Sequence, residues 1–386
     1  MKKRLAIITT HPIQYNAPLF GLLSSRSVIE SKVFYTWGKE SMDDKYDHGF
    51  GKKVKWDIDL LSGYHYEFLE NISKDKGSHH FNGIDNPDLI EKINAFQPDA
   101  ILVFGWPLKS HLKAMRHFKG KLPVYFRGDS VLKKSDGFLK KLLKKIYISW
   151  VYRFVDIAFY AGEKNKSYFL EYGLKESQLI YAPHAINNLF FETQLSMYFN
   201  KCADWRTKLS IKSDEVVFMY AGKLDVNKNT AFLCDCFIAL NNENCHLVIV
   251  GDGIEKDRLM KSYSNMGNIH FLPFQNQSEI PFLYGMADVF VLPSHNETWG
   301  LSVNEAMVCG CSILLSSTVG CAPDLVVEGV TGFVFELNDK EDLIKKMKVL
   351  SNKNIAAEMG ENSVVHVKEW NYERICVALE SEILKN

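Results

Sequence analysis

Long apolar runs are missing from this chain of 386 residues. No stretch approaches the roughly 20 uninterrupted apolar residues that span a bilayer, so a membrane-spanning helix is not expected. An excess of either charge is missing too: 46 basic residues meet 46 acidic ones, for a formal charge of zero. That balance gives no support to broad phosphate-backbone binding, and no nucleic-acid partner is expected. The eight cysteines include Cys234-x-Cys236 and Cys309-x-Cys311 but no C-x-x-C pair. Their apolar or small-residue settings point to reduced core thiols in a cytosolic protein rather than to zinc ligands or a disulfide framework. The opening Met-Lys-Lys-Arg resembles the start of a signal peptide, but Thr9, Thr10 and His11 interrupt the apolar run. It reads as a first strand.

What is present is the composition of a well-packed globular protein, with 46% apolar and 13% aromatic residues. The length suits two domains of similar size. Strand-like runs at Arg4–Thr10, Lys32–Tyr35, Asp99–Phe104, Pro123–Phe126, Asp156–Tyr160 and Gln178–Tyr181 alternate with segments of helical spacing. The second half repeats the arrangement at Glu215–Tyr220, Cys245–Val250, Asn268–Leu272, Asp288–Leu292 and Ser312–Leu315. An α/β protein of two doubly wound, Rossmann-like domains is expected, spanning 1–190 and 191–370. The stretch 185–203 is Asn-rich and short on periodicity, which places the hinge there. Residues 40–85 are polar and poorly periodic; they read either as a functional loop on the acceptor side or as an ordered surface excursion.

The most informative stretch is Ser294 to Gly310. The run Asp288-Val-Phe-Val-Leu-Pro-Ser294 before it reads as a buried parallel strand. Gly300 to Met307 then reads as a helix closed by Gly310. Glu297 and Glu305 therefore flank a turn at the carboxyl edge of a sheet, where a helix start presents amide groups suited to a diphosphate.

With this spacing the chain resembles the retaining GT-B glycosyltransferases of family 4, which carry an E-x7-E element between a strand and a helix. Tyr220-Ala-Gly222-Lys223-Leu with Lys228, Leu247-Val-Ile-Val-Gly-Asp-Gly253, Ser312-Ile-Leu-Leu-Ser-Ser317 and Glu328-Gly-Val-Thr-Gly332 follow in the family's order. The resemblance is close over 216–345. Over the first half it rests on Thr10-His-Pro-Ile-Gln-Tyr15 and Phe126-Arg-Gly-Asp-Ser130. It implies a GT-B fold whose last helix, about 371–386, packs back on the first domain.

The resemblance also implies roles. Glu305 would hold the donor ribose, where two vicinal hydroxyls can donate to one carboxylate; its other reading is a solvated helix carboxylate. Glu297 would act on the donor sugar and on positive charge at the anomeric carbon, or cap the helix. Lys223 and Lys228 would offset charge on the leaving diphosphate. The family commonly has Arg where this chain has Lys223, so a point charge replaces a bidentate fork. Gly222, Thr298, Trp299, Gly300 and Leu301 complete the expected donor site. The expected partners are a nucleotide diphosphate sugar and a saccharide or lipid-linked acceptor, with no cofactor and no metal. The expected activity is retaining transfer in surface-polysaccharide assembly. The rival readings are a nucleotide-sugar epimerase of the same architecture and a noncatalytic sugar-nucleotide-binding subunit.

Other motifs weigh less. Gly251-Asp-Gly253 lacks the third glycine of a dinucleotide fingerprint, since position 256 is Lys. Asp57-Ile-Asp59 reads as surface acids, and His79-His80 as exposed histidines without a ligand partner. On the acceptor side the candidates are His11, which leaves the first strand into a turn shaped by Pro12, Asn16 and Pro18, together with Arg127 and Asp129.

Residues 133–154 set Lys133, Lys134, Lys140, Lys141, Lys144 and Lys145 against a stripe of Leu139, Leu142, Leu143, Ile146 and Trp150. Two readings stand. Either the stripe packs on the first-domain sheet, or the helix docks on an anionic membrane, which would make the protein peripheral on the inner face.

Overall fold

The computed structural model describes every residue except Met1, 43–44, 48–51, Lys55, 133–136, Phe199 and Asn386, and leaves aside the side chains of 45–47, 52–54, Phe138 and Lys140. Lys133, Lys134 and the Lys140 side chain thus lie outside the described residues. The strands, in chain order, are β1 (Arg4–Thr9), β2 (Glu30–Tyr35), β3 (Lys45–Asp47), β4 (Lys52–Val54), β5 (His65–Phe68), β6 (Ala100–Phe104), β7 (Val124–Arg127), β8 (Ile157–Tyr160) and β9 (Leu179–Tyr181). There follow β10 (Val216–Ala221), β11 (Cys245–Val250), β12 (Ile269–Leu272), β13 (Val289–Leu292), β14 (Ser312–Ser316) and β15 (Gly332–Phe335).

Two compact units result. The first comprises 1–43, 59–184 and 372–386; the second comprises 44–58 and 185–371. The first is built on a seven-stranded sheet in the order β5-β2-β1-β6-β7-β8-β9, and all its pairings are parallel. β-branched and aromatic strand residues such as Phe34, Val103 and Phe126 pack against Met115, Phe118, Val151 and Tyr152 of its helices. The helix Tyr372–Ile383 belongs to this unit. Glu380 accepts a two-pronged contact from Arg26 at 2.9 and 2.8 Å, and the Tyr372 hydroxyl donates to the Tyr15 carbonyl at 2.8 Å.

The second unit holds a six-stranded parallel sheet in the order β12-β11-β10-β13-β14-β15. Its strands β10, β11, β13 and β14 are buried along their whole length, as parallel strands covered on both faces must be. Strand order reverses direction between β1 and β6 in the first sheet and between β10 and β13 in the second. Open α/β sheets bind ligands at such switch points, outside the carboxyl ends of the strands.

Two readings need correction, and a third gains detail. The Asn-rich segment is not irregular: it folds as helices Asn188–Met197 and Asn200–Lys208, the first capped by the Asn187 side chain accepting from the Phe190 amide. The polar excursion 40–85 contains β5 at the edge of the first sheet and the antiparallel pair β3–β4. The apolar stripe of the basic segment does not pack on the sheet. Within the helix Phe138–Tyr152 the inward face is Ile148, Val151 and Tyr152, while Leu139, Leu142, Leu143, Ile146 and Trp150 are 37–73% exposed. Lys144, expected on the solvent side, lies over the rings of Tyr168 and Tyr172. Spacing set the amphipathic period correctly, but Ile148, Val151 and Tyr152 supply a second apolar face that wins the contact.

Candidate functional site

Four loops leave the carboxyl edge of the second sheet and are fastened to one another by backbone bonds. After β10, the Gly222 amide donates to the Val250 carbonyl at 3.0 Å and the Leu224 amide to Asp252 at 2.9 Å. Beneath this turn the buried Tyr220 hydroxyl donates to the Lys223 carbonyl at 2.6 Å. Asp225 then caps a short turn by accepting from the Lys228 amide at 3.0 Å. Asn227 stitches this loop to the one after β13: its carbonyl accepts from the His295 amide at 2.7 Å, and its side-chain amide donates to the Asn296 carbonyl at 2.8 Å. The stitch brings Lys228 onto Glu297. Their side chains form an ion pair in which each is roughly one-fifth exposed, at 19% and 17%.

The loop that carries Glu297 is propped from its other side. Glu297 forms a parallel bridge with Val319, and the Trp299 carbonyl accepts from the Cys321 amide at 3.1 Å. Ser316 and Thr318 hydroxyls both donate to the Ser294 carbonyl, at 2.7 and 2.6 Å. Gly320 lies so close that a Cβ there would sit 1.8 Å from the Thr298 carbonyl oxygen. Gly300 has φ 98°, a left-handed conformation that costs a side-chain-bearing residue, and it starts the helix Leu301–Val308. Gly310, with φ 89°, follows the helix end.

Glu305 falls on the second turn of that helix and is 4% exposed. Its Oε2 accepts from the buried Tyr284 hydroxyl at 2.9 Å. The reading of a solvated helix carboxylate is therefore wrong. A buried carboxylate held by a hydroxyl is a fixed, strongly acting acceptor. Trp299 is 3% exposed and its indole N–H donates to Asn304 at 2.8 Å. The indole thus braces the helix start and is not a surface presented to a ligand. Thr298 is exposed, while Gly222, Lys223, Gly300 and Leu301 are half-buried.

Asn227, Tyr284, Val319 and Gly320 were not foreseen. Asn227 and Gly320 had a local signal, each standing between motif segments in a turn. Tyr284 had none, because it comes from a different helix, Ile280–Met286. The Gly251-Asp-Gly253 turn is structural. Asp252 pairs with Lys256 and accepts from the Phe274 amide at 3.1 Å.

In the first unit, His11 sits beside the switch point, its Nδ1 2.9 Å from the Thr10 hydroxyl and its ring edge-on to Trp37 at 4.9 Å between centroids. Arg127 is turned inward. Its two terminal nitrogens donate to the Ala182 and Pro183 carbonyls at 2.9 Å each, and burial pushes its pKa down without removing its charge at neutral pH. It clamps the chain leaving β9 and presents no fork to an acceptor. Asp129 is exposed. Asp57 and Asp59 fall in different units, the first accepting from Ser278 and the second from Ser62 and Leu61. The histidine pair does have a partner: Asp75 lies 3.4 Å from His79 and 3.1 Å from His80.

Residues 203–364, which include all the loops described at the edge of the second sheet, match the family model described as glycosyl transferases group 1. The match covers less than half of the chain and makes this part similar to the group 1 glycosyl transferases. The sulfoquinovosyl transferase SQD2 of Arabidopsis thaliana is 31% identical over 140 residues, 36% of this chain and 27% of that one. Alpha-monoglucosyldiacylglycerol synthase of Acholeplasma laidlawii is 27% identical over 188 residues, 46% of each chain. The alignments thus span less than half the length of these relatives. Among solved structures, Anabaena Alr3699/HepE in complex with UDP and glucose superposes with a TM-score of 0.72 at 15% identity, covering 100% of both chains. At that identity the likeness shows the fold, and the fold is GT-B. The loops described above lie within the matched residues, at the switch point of the second sheet, and no helix among the described residues is long and apolar enough to cross a membrane.

Proposed function

We propose that the chain is a retaining, metal-independent glycosyltransferase that moves a sugar from a nucleotide diphosphate sugar to a saccharide or lipid-linked acceptor in surface-polysaccharide assembly. The observation that carries this reading is the Lys228–Glu297 pair at the switch point of the second sheet, with Glu305 fixed behind it. In this scheme the second unit binds the donor and the first the acceptor. Glu305 takes the ribose hydroxyls, and Glu297 faces the sugar. As the bond between the anomeric carbon and the diphosphate breaks, negative charge grows on the phosphate oxygens and positive charge on the sugar. Lys223 and Lys228 offset the first and Glu297 the second, which is catalysis by charges fixed in advance. The acceptor hydroxyl attacks from the face that the diphosphate leaves, and its proton passes to a donor phosphate oxygen.

The relatives support the donor class: Alr3699/HepE was solved with UDP and glucose, and the aligned relatives are named for sugar transfer. Donor turnover measured with and without acceptor, each in EDTA, tests the reading. Nucleotide release only in the presence of acceptor, unaffected by chelator, is expected. Interconversion of donor without acceptor would favour an epimerase, and no release under any condition would favour a binding subunit.

The helix Phe138–Tyr152 supports a further part of the proposal, docking on an anionic bilayer at the inner face of the membrane. Six large apolar side chains, Tyr147 included, are exposed among its described residues beside Lys141 and Lys145, a combination suited to an interface with negative headgroups. Such lysines contribute about 1 kcal/mol each near the surface and are screened by salt. Co-sedimentation with phosphatidylglycerol vesicles but not with phosphatidylcholine vesicles is expected. Changing Leu139, Leu143 and Ile146 to Ser should abolish it; equal sedimentation of parent and variant would sink the docking.

A further inference from the structure

We propose that Asp75, His79 and His80 form a site for a divalent transition-metal ion of the zinc class on the first unit. Among the described residues this is the one group of three whose carboxylate and imidazole atoms converge, all within 4.8 Å of one another. Two of the spacings are close to those of a coordination shell. Asp75 Oδ2 lies 3.4 Å from His79 Nε2 and 3.1 Å from His80 Nε2. Bonds of about 2.0–2.2 Å in a tetrahedron separate neighbouring ligand atoms by about 3.3–3.5 Å. The Asp75 carbonyl oxygen is a further hard donor, 3.0 Å from His80 Nε2. Two imidazoles with a carboxylate suit zinc, nickel or copper rather than calcium or magnesium.

The convergence is built by the loop. Neighbouring side chains of extended chain point to opposite sides. His80 is extended, with φ −147° and ψ 162°, yet its ring meets that of His79 edge-on at 4.6 Å. The segment 71–85 is closed on itself to allow this. The Gly77 amide donates to the Gly83 carbonyl at 3.0 Å, and the Gly83 amide returns to the His80 carbonyl at 3.1 Å. Asn71 donates to the same Gly83 carbonyl at 3.0 Å, and the Ser73 hydroxyl to the carbonyls of Asp75 and Asn82 at 3.1 and 2.7 Å. Gly83 approaches so closely that a Cβ would lie 2.1 Å from the Gly77 oxygen. Lys76 ties the loop to Glu40 at 2.6 Å. The ligand set is therefore positioned before any ion arrives, and its exposure, 74% for the Asp75 side chain, leaves room for water on the ion. Neither the donor site nor the acceptor candidates use these residues, so the site stands apart from the proposed transfer reaction.

Equilibrium dialysis of the full chain without a polyhistidine tag, against zinc chloride, tests the site. One zinc per chain is expected in the parent, and none in the double variant His79→Gln with His80→Gln or in Asp75→Asn. Cobalt should give a visible absorption spectrum that both variants lose. The substituted side chains are on the surface, so circular dichroism and donor turnover should match the parent and exclude misfolding. Zinc should also raise the melting temperature of the parent alone. Equal zinc stoichiometry in parent and variants, or no retained zinc in the parent, overturns the proposal.

Discussion

At the switch point of the second sheet, Lys228 and Glu297 meet at partial exposure on loops stitched together by Asn227. At that of the first sheet, the buried group is His111, 0% exposed, with Nδ1 donating to the Gly105 carbonyl at 2.7 Å and Nε2 2.9 Å from the Thr36 hydroxyl. Two sheets of one topology thus use polar residues at the same edge for opposite ends. In the second, charges are kept where a ligand can reach them. In the first, a neutral imidazole and the inward Arg127 fasten the ends of β1, β2, β6 and β9. Fold alone does not assign function to an edge; the side chains at it do.

The sharpest way to break this contrast is Lys228→Ala. If the second edge holds the working charges, transfer should fall by about 10²–10³-fold in kcat, the usual effect of deleting one group that stabilises developing charge. Neither Mg²⁺ nor Mn²⁺ should restore it. Arg127→Lys, which removes the fork of the clamp, should instead show its effect in the stability of the first unit. Comparable kcat losses in both variants would erase the distinction between the edges.

A second test uses acid. Burial pushes His111 down to about 4, the desolvation of its charged form outweighing its hydrogen bonds to the backbone. Between about pH 6.5 and 4 the unfolded chain would carry a proton there that the folded unit does not. Stability should therefore rise with pH across that window and be lost as pH falls through it, by about 3 kcal/mol in all. Hydrogen exchange followed by mass spectrometry at pH 7 and pH 5 should show the strands β1, β2 and β6 opening more at pH 5. In His111→Gln this pH dependence should flatten, while protection at pH 7 is already reduced.

How much of this was legible follows from the range of the interactions. The E-x7-E turn, Lys228 and the helix after Gly300 are local features, set by a buried strand, a left-handed glycine and a helix start within one stretch of chain. Their spacing carries them. The six core strands of the first sheet and five of the second were visible for the same reason, since β-branched runs between turns announce themselves. Tyr284 on Glu305 and the Ser316–Thr318 prop were not visible, because each depends on a residue contributed by another element across the sheet edge. The helix Phe138–Tyr152 shows a different limit. Two apolar faces share one period, and which is buried is decided by the shape of the sheet beneath. His79 and His80 show a third: their partner Asp75 is close in sequence, but only the folded loop brings all three to one point.

The smallest expected effects sharpen the inner anatomy of the second edge. Glu305→Ala should weaken binding of a nucleoside diphosphate by about 1.5–3 kcal/mol in calorimetry, the value of one charge-assisted hydrogen bond. Trp299→Phe keeps the aromatic bulk and deletes only the N–H that donates to Asn304. Because this indole braces the helix start and does not face a ligand, the loss should appear in stability, at about 0.5–1.5 kcal/mol for a neutral hydrogen bond. Diphosphate affinity should stay within error of the parent. If Trp299→Phe instead loses affinity as Glu305→Ala does, the indole belongs to the donor site and the brace assigned to it is wrong.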